Sequence, residues 1–125
     1  MQTVMSESAF HSYIKSVLRK ASMRWKPLNE VKSRARVERG LYKCEKCQSI
    51  VPATAITTLK NGKTKRIKNI AVDHISPVVP VSGFDSWDNV IQRLFCDVDG
   101  LQLLCRDCHE IKCKEEMSER KTYRT

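Results

Sequence analysis

The sequence of 125 residues predicts an α+β fold, with helices at both ends and short strands between them. Three observations predict it. Apolar residues recur at helical spacing near the N-terminus, β-favouring segments flank an Asn-Gly pair, and two Cys-x-x-Cys pairs lie far apart. We expect a basic helical extension in residues 1–40, a core joined by one metal site in residues 41–119, and a polar tail in residues 120–125.

Two helices are predicted in the basic extension. The first spans about residues 6–22, where apolar side chains recur at helical spacing: Phe10, Tyr13, Ile14, Val17, Leu18 and Ala21. The second runs from Pro27 to about Arg39 and is ended by Gly40. Its basic residues, all candidates for DNA contact, are Lys32, Arg34, Arg36 and Arg39. A helix this polar either packs weakly or lies on another surface. It is either a solvated helix or an arm that contacts DNA phosphates.

The middle of the chain predicts a turn and a hairpin. Residues 41–48 resemble a zinc knuckle, and residues 50–59 and 65–74 are β-like on either side of Asn61-Gly62, a strong hairpin signal. The hairpin tip is basic through Lys60, Lys63, Lys65, Arg66 and Lys68, and we expect it to touch a phosphate backbone.

A loop, a short helix, a strand and a last helix are predicted after the hairpin. Residues 77–99 form mostly loop, with a capped helix at residues 86–95 that directs Val90, Ile91, Leu94 and Phe95 to the core. A buried strand follows at residues 101–104, and a helix runs from Arg106 to about Glu119.

The charge is unevenly distributed. The formal net charge is +9, with 11 basic and 3 acidic residues in 15–46 but 2 basic and 6 acidic residues in 69–109. A basic arm beside an acidic centre suits a polyanion together with bound cations; a solvated basic surface is the alternative. No apolar run is long enough to cross a bilayer and no signal peptide is evident, so we expect a soluble, cytoplasmic protein without a membrane partner.

The six cysteines predict one structural zinc site. Cys44, Cys47, Cys105 and Cys108 form two Cys-x-x-Cys pairs separated by 57 residues, so a shared zinc would join the knuckle to the last helix. Redox-active pairs are the alternative, although no βαβ pattern surrounds either pair. Cys96 and Cys113 are left over and are expected to be packing residues.

Asp73, His74 and His109 are the candidates for catalysis. Hydrolysis of a phosphodiester needs a base that activates water and a cation that stabilises the developing charge. If the strand that ends in Asp73-His74 packs on the helix that carries His109, one histidine can be the base while Asp73 and the other histidine hold a metal. Taken singly, each residue also has a purely structural interpretation. Either histidine can be one whose ring is hydrogen-bonded within the fold, and Asp73 can cap a turn.

The order of these motifs resembles the zinc-finger-containing HNH endonucleases. The matching motifs are Cys-x-x-Cys, Val-Asp-His-Ile-Ser-Pro-Val and Leu-Gln-Leu-Leu-Cys-x-x-Cys-His-x-x-Lys, within residues 42–113. The similarity is greatest to small bacteriophage enzymes, some of them homing endonucleases. The resemblance implies a ββα-metal core that cleaves double-stranded DNA, with His74 as general base and Asp73 and His109 as ligands of one Mg²⁺ or Mn²⁺. It also implies zinc on the four cysteines, and it matches Lys112 to a common basic position.

One position departs from the family pattern. The family usually has asparagine before the Leu-Gln segment, where it braces the loop and orients the base, whereas this chain has Gly100. Asn89 or Asp99 is a possible substitute brace. The glycine also favours an alternative function, a non-catalytic zinc-containing module that binds nucleic acid. The oligomeric state, monomer or homodimer, stays open.

Overall fold

The computed structural model describes residues 5–124, which contain four α-helices and seven short strands. The helices are α1 (Glu7–Ser22), α2 (Lys26–Ala35), α3 (Trp87–Leu94) and α4 (Arg106–Arg124). The strands are β1 (Arg36–Glu38), β2 (Leu41–Lys43), β3 (Ile50–Pro52), β4 (Thr54–Thr58), β5 (Thr64–Lys68), β6 (Ile70–His74) and β7 (Leu101–Cys105). The α+β class is confirmed. Among the described helices none has the length and apolarity that a membrane span requires.

The strands form three small antiparallel sheets. β1, β2 and β3 make a three-stranded sheet, β4 pairs with β5, and β6 pairs with β7. In the last pair Asp73 lies opposite Gln102, and His74 lies opposite Leu101. Because α4 follows β7 directly and packs on β6 and β7, the end of the chain forms a strand–strand–helix unit.

Each of the two predicted hairpin strands is divided into two shorter strands. The divisions fall at Ala53 and Asn69, where the Asn69 N–H donates to the Ala53 carbonyl at 2.9 Å and the Asn69 side-chain amide donates to the Pro52 carbonyl at 3.0 Å. The Asn69 carbonyl accepts from the Arg106 N–H at 3.0 Å. These bonds let β5 pair with β4 while β6 pairs with β7, a change of partner that periodicity alone does not reveal.

The main core lies between α2 and β7. Val31 and Ala35 of α2 pack with Leu101 and Leu103 of β7, and all four side chains are buried. The second helix therefore lies on another surface, one of its two predicted alternatives, because residues 31 and 35 fall on one face. It ends at Ala35, earlier than predicted, and the chain continues as β1.

Side-chain caps define the starts of two helices. The Ser6 hydroxyl accepts from the Ala9 N–H at the start of α1, and the Ser86 hydroxyl accepts from the Asn89 N–H at the start of α3. In α3, Val90 and Leu94 are buried as predicted, whereas Ile91 is 41% exposed and that prediction is wrong.

The last helix is longer than predicted and continues through Arg124. The Arg120 guanidinium donates to the Val79 and Pro80 carbonyls at 2.7 and 3.1 Å, so residues expected to be a polar tail hold the loop that follows β6.

Arg34 joins four parts of the molecule. Its guanidinium makes two 2.8 Å bonds to the Glu45 carboxylate and donates to the carbonyls of Val98 and Leu101 at 3.3 and 3.1 Å. The Glu45 carboxylate also accepts from the Leu103 N–H at 2.7 Å. Burial raises the pKa of Glu45, but these hydrogen bonds and the Arg34 charge outweigh it and lower the pKa. These acceptors occupy the Arg34 guanidinium, so it is a poorer DNA contact than the sequence predicts.

We therefore expect Arg34→Met to lower the free energy of unfolding by about 1–2 kcal/mol, since it removes two hydrogen bonds to the Glu45 carboxylate and leaves the Leu101 carbonyl without the Arg34 donor. Lys32→Met, a matched change at an exposed position of the same helix, should alter it by less than about 0.5 kcal/mol. Urea unfolding of both variants measures this, and equal effects would show that the Arg34 network contributes no stability.

Candidate metal centres

The four cysteines of the two Cys-x-x-Cys pairs come together in one cluster. The sulfur atoms of Cys44, Cys47, Cys105 and Cys108 all lie within 4.8 Å of one another, and the Cys47 and Cys105 sulfurs are 3.8 Å apart. Zinc–sulfur bonds of about 2.3 Å place two sulfurs of a tetrahedral site about 3.8 Å apart. The four side chains therefore fit one zinc ion, as the sequence predicts.

Local backbone geometry builds the first half of the cluster. The chain turns between β2 and β3, where the Cys44 N–H donates to the Ser49 carbonyl and the Gln48 N–H donates to the Cys44 carbonyl. Gln48 has a φ of 67°, the left-handed conformation that closes the turn. The Cys47 N–H points to the Cys44 sulfur at 3.5 Å. The second half follows from position, because Cys105 ends β7 and Cys108 lies in the first turn of α4.

The thiols have unequal acidities. Hydrogen bonds from Ser49 lower the pKa of Cys47 to about 6, and the pKa of Cys44 is also lowered because backbone N–H groups outweigh its burial. Burial raises the pKa of Cys105, and the hydrogen bond with Cys105 raises the pKa of Cys108 to about 12. Four neighbouring thiolates repel one another, so all four become ligands together only when a cation offsets their charge.

Asp73 and His109 form a second group of possible ligands. The His109 Nε2 atom lies 4.0 Å from Asp73 Oδ1, although the residues are 36 positions apart. The pairing of β6 with β7 places Asp73 beside Gln102, whose amide donates to Asp73 Oδ2 at 3.1 Å. Sequence reasoning did not identify the Gln102 contact, which only the strand register reveals.

The ring of His74 is oriented by a backbone carbonyl. Its Nε2 atom is 2.9 Å from the Leu94 carbonyl oxygen. Because a carbonyl oxygen only accepts, Nε2 carries the hydrogen, and in the neutral ring Nδ1 keeps the free lone pair. The α3 helix thus presents the backbone group that fixes the tautomer of His74.

The Lys112 side chain supplies a positive charge beside Asp73. Its ammonium donates to Asp73 Oδ2 at 2.9 Å, to the His74 carbonyl at 2.9 Å and to a Glu116 carboxylate oxygen at 2.6 Å. Burial lowers the pKa of Lys112, but these hydrogen bonds and charges outweigh it and raise the pKa. The sequence indicates that Lys112 belongs near this site only through its spacing, three residues after His109.

The two possible loop braces, Asn89 and Asp99, lie elsewhere. The Asn89 amide donates to the Asp85 carboxylate at 3.1 Å, which also accepts two bonds from Arg93. Asp99 lies in a 3₁₀ turn at residues 98–100 and is exposed. The His74 ring is held by the Leu94 carbonyl.

The structure explains the glycine at position 100. A Cβ atom there would lie 2.8 Å from the Cys96 sulfur and 3.2 Å from the Cys96 Cβ, so any side chain requires Cys96 to move. Cys96 itself packs against the main core, as predicted. Cys113 does not pack in the core; it is exposed, with its sulfur 3.8 Å from His109 Nε2.

The remaining candidate DNA contacts are all exposed. They are Lys32, Arg36, Arg39, Lys63, Lys65, Arg66 and Lys68. Arg36 also lines a surface pocket of about 260 Å³ together with Lys43 and the Arg34–Glu45 pair. These residues form basic surfaces on α2, on the β1–β2 hairpin and on the β4–β5 pair.

The two groups have different donor chemistry. Four sulfurs are soft ligands that select zinc, whereas the oxygen of Asp73 and the nitrogen of His109 suit Mg²⁺ or Mn²⁺ as well as zinc.

Comparisons of this chain with protein-family models, curated proteins and solved structures give no match.

The sulfur cluster predicts about one tightly bound zinc ion per chain. We expect Cys105→Ser to lose most of this zinc, since the buried sulfur that it removes lies 3.8 Å from the sulfur of Cys47. Cys113→Ser removes an exposed sulfur outside the cluster and should retain the metal. Metal analysis of gel-filtered protein measures both, and equal zinc in the two variants would contradict the assignment.

Position 100 gives a separate test. Gly100→Ala should lower the free energy of unfolding by about 1–3 kcal/mol, because the new methyl group overlaps Cys96. In a Cys96→Ala background the sulfur is gone, so the same change should cost less. A double-mutant cycle by urea unfolding measures the difference, and a coupling of zero would disprove the steric explanation.

Proposed function

We propose that this chain is an HNH-type endonuclease that hydrolyses double-stranded DNA with a divalent cation. The observation that carries the proposal is the approach of Asp73 and His109, whose Oδ1 and Nε2 atoms are 4.0 Å apart in a strand–strand–helix unit, with His74 next to Asp73 at the end of β6. The sequence resemblance assigns the same three residues to this reaction. The resemblance assigns Asp73 and His109 as metal ligands, so their proximity supports the proposal.

The donors fit a single cation. Bonds to Mg²⁺ are about 2.1 Å long, so two ligands of one ion lie at most about 4.2 Å apart, and the Asp73–His109 separation falls within that limit. When bound, Mg²⁺ or Mn²⁺ supplies positive charge that stabilises the phosphorane-like transition state and the leaving oxygen. Lys112 lies on the other oxygen of Asp73 and holds that carboxylate in place.

His74 has the geometry of a general base. The Leu94 carbonyl keeps the hydrogen on Nε2, so Nδ1 is the atom that accepts a proton from the attacking water. Once protonated, the ring keeps its bond to Leu94, which stabilises the imidazolium. Lys112 also binds the His74 carbonyl and so limits movement of the strand end that carries both Asp73 and His74.

The exposed basic residues fit a phosphate backbone. The net charge of +9 supplies the attraction, and contacts from lysine and arginine make binding fall steeply with salt. Ten of the 14 acidic residues lie in the second half of the chain, and the β4–β5 pair contains none.

A second candidate function is a zinc-containing module that binds nucleic acid without cleaving it. The ion pair of Lys112 with Asp73 favours this candidate, since an ammonium already neutralises one carboxylate oxygen. In such a module Lys112 would replace the catalytic cation permanently.

Cleavage of supercoiled plasmid separates the two candidates. With Mg²⁺ or Mn²⁺ the zinc-loaded protein should nick or linearise the plasmid, and excess EDTA should stop it. We expect His74→Ala to slow cleavage by about 100- to 10,000-fold, the range for loss of a general base. His109→Ala should reduce cleavage and also weaken the response to the cation.

The matched control is His11→Gln, which alters the third histidine of the chain. His11 contacts Phe84 and Trp87 through its ring and belongs to neither metal group. Its variant should cleave at the wild-type rate. If zinc-loaded wild-type protein binds DNA but leaves the plasmid intact with either cation, the non-catalytic module is the correct function.

A further inference from the structure

The β4–β5 ribbon, residues 54–68, has one face that nothing in the described structure covers. We propose that this face enters the major groove of double-stranded DNA and reads base edges there. The proposal rests on the proposed function for its substrate, and it adds where and how that substrate is recognised.

The strand register defines the two faces. Thr54 pairs with Lys68, Ile56 with Arg66 and Thr58 with Thr64, so these six side chains share one face, and all six are exposed. Ala55, Thr57 and Ile67 belong to the opposite face and are partly buried. Ile56 is 71% exposed at the centre of the free face, an unusual place for a large aliphatic side chain without a partner.

The charge of the ribbon is complementary to DNA. Residues 54–69 contain five basic residues and no acidic one: Lys60, Lys63, Lys65, Arg66 and Lys68. Within residues 5–124 none of these five side chains forms an ion pair, so their charges are available to phosphates. On the free face Ile56 lies directly opposite Arg66 and next but one to Lys68, an arrangement that suits base edges flanked by phosphates.

The size of the ribbon selects the groove. Two strands lie about 4.8 Å apart before their side chains are added, which fits a major groove about 12 Å wide but not a minor groove about 6 Å wide. In an RNA duplex the major groove is deep and narrow, so the same ribbon cannot enter it. The partner is therefore a DNA duplex.

The two central residues match base-edge chemistry. The Arg66 guanidinium can donate two hydrogen bonds to O6 and N7 of a guanine, and the Ile56 side chain can contact the methyl group of a thymine. Because Ile56 and Arg66 are direct cross-strand partners, they would contact the same or neighbouring base pairs.

The ribbon is firmly connected to the proposed catalytic site. Asn69 ties its base to Ala53, Pro52 and Arg106, and β6 continues from Asn69 to His74. His74 lies eight residues after Arg66, which corresponds to at most about 26 Å in extended chain. With a rise of about 3.4 Å per base pair, the contacted bases lie within about eight base pairs of the cut.

Selection from duplexes with a randomised 20-base-pair centre tests the proposal. The selecting protein is the full zinc-loaded chain with His74→Ala, which binds without cutting. We expect an enriched sequence, and we expect Arg66→Ala added to this protein to lose about 10- to 100-fold of its preference at one or two positions. Ile56→Ala should weaken a preference for thymine nearby.

Lys65→Ala is the matched control, because Lys65 lies on the opposite face of the same strand. It should lower the affinity for all duplexes alike and reduce the salt dependence, without changing the preference. If Arg66→Ala also lowers affinity uniformly, or if an RNA duplex binds equally well, the ribbon contacts phosphates only and the proposal is wrong.

The plasmid assay distinguishes this failure from failure of the proposed function. If Arg66→Ala lowers the affinity for all duplexes equally and the wild-type protein cleaves plasmid, only the groove-reading proposal is overturned. An absence of duplex binding and of cleavage overturns both. Sequencing the cut ends should place the preferred positions within the predicted distance of the scissile phosphate.

Discussion

The junction of β7 with α4 is the constraint on which the rest of the structure depends. Cys105 ends the strand and Cys108 begins the helix, so the four-sulfur cluster ties the direction of α4 to the knuckle near Cys44. That direction decides where His109 and Lys112 meet Asp73. A zinc ion on the four sulfurs would therefore also maintain the contacts of Asp73 with His109 and Lys112.

The site beside this junction is held largely by main-chain groups. The Leu94 carbonyl orients His74, the His74 carbonyl anchors Lys112, and the Gly100 carbonyl accepts from the Ile75 N–H. Main-chain carbonyls thus hold both the ring of His74 and the ammonium of Lys112. Glycine at position 100 then follows from the close packing of Cys96.

Local patterns predicted much of the molecule, because they depend on nearby residues. The caps at Ser6 and Ser86 and the strand at Leu101 are of this kind. Each Cys-x-x-Cys pair is also local, and the ligand chemistry of zinc then predicted that the two distant pairs meet. The burial of Val31, the change of strand partner at Asn69 and the Arg34–Glu45 pair depend on contacts between distant segments. The polar composition of α2 favoured a solvated helix, whereas its small apolar face, Val31 and Ala35, packs on β7.

Binding of Mn²⁺ to the zinc-loaded protein tests the central claim, that Asp73 and His109 together hold a divalent cation beside His74. Electron paramagnetic resonance can count the bound ions and detect a coordinated imidazole nitrogen. We predict about one Mn²⁺ per chain with nitrogen coupling, lost in Asp73→Asn, while His109→Ala removes the coupling and weakens binding. Mn²⁺ bound equally by all three proteins, or by none, would contradict the account.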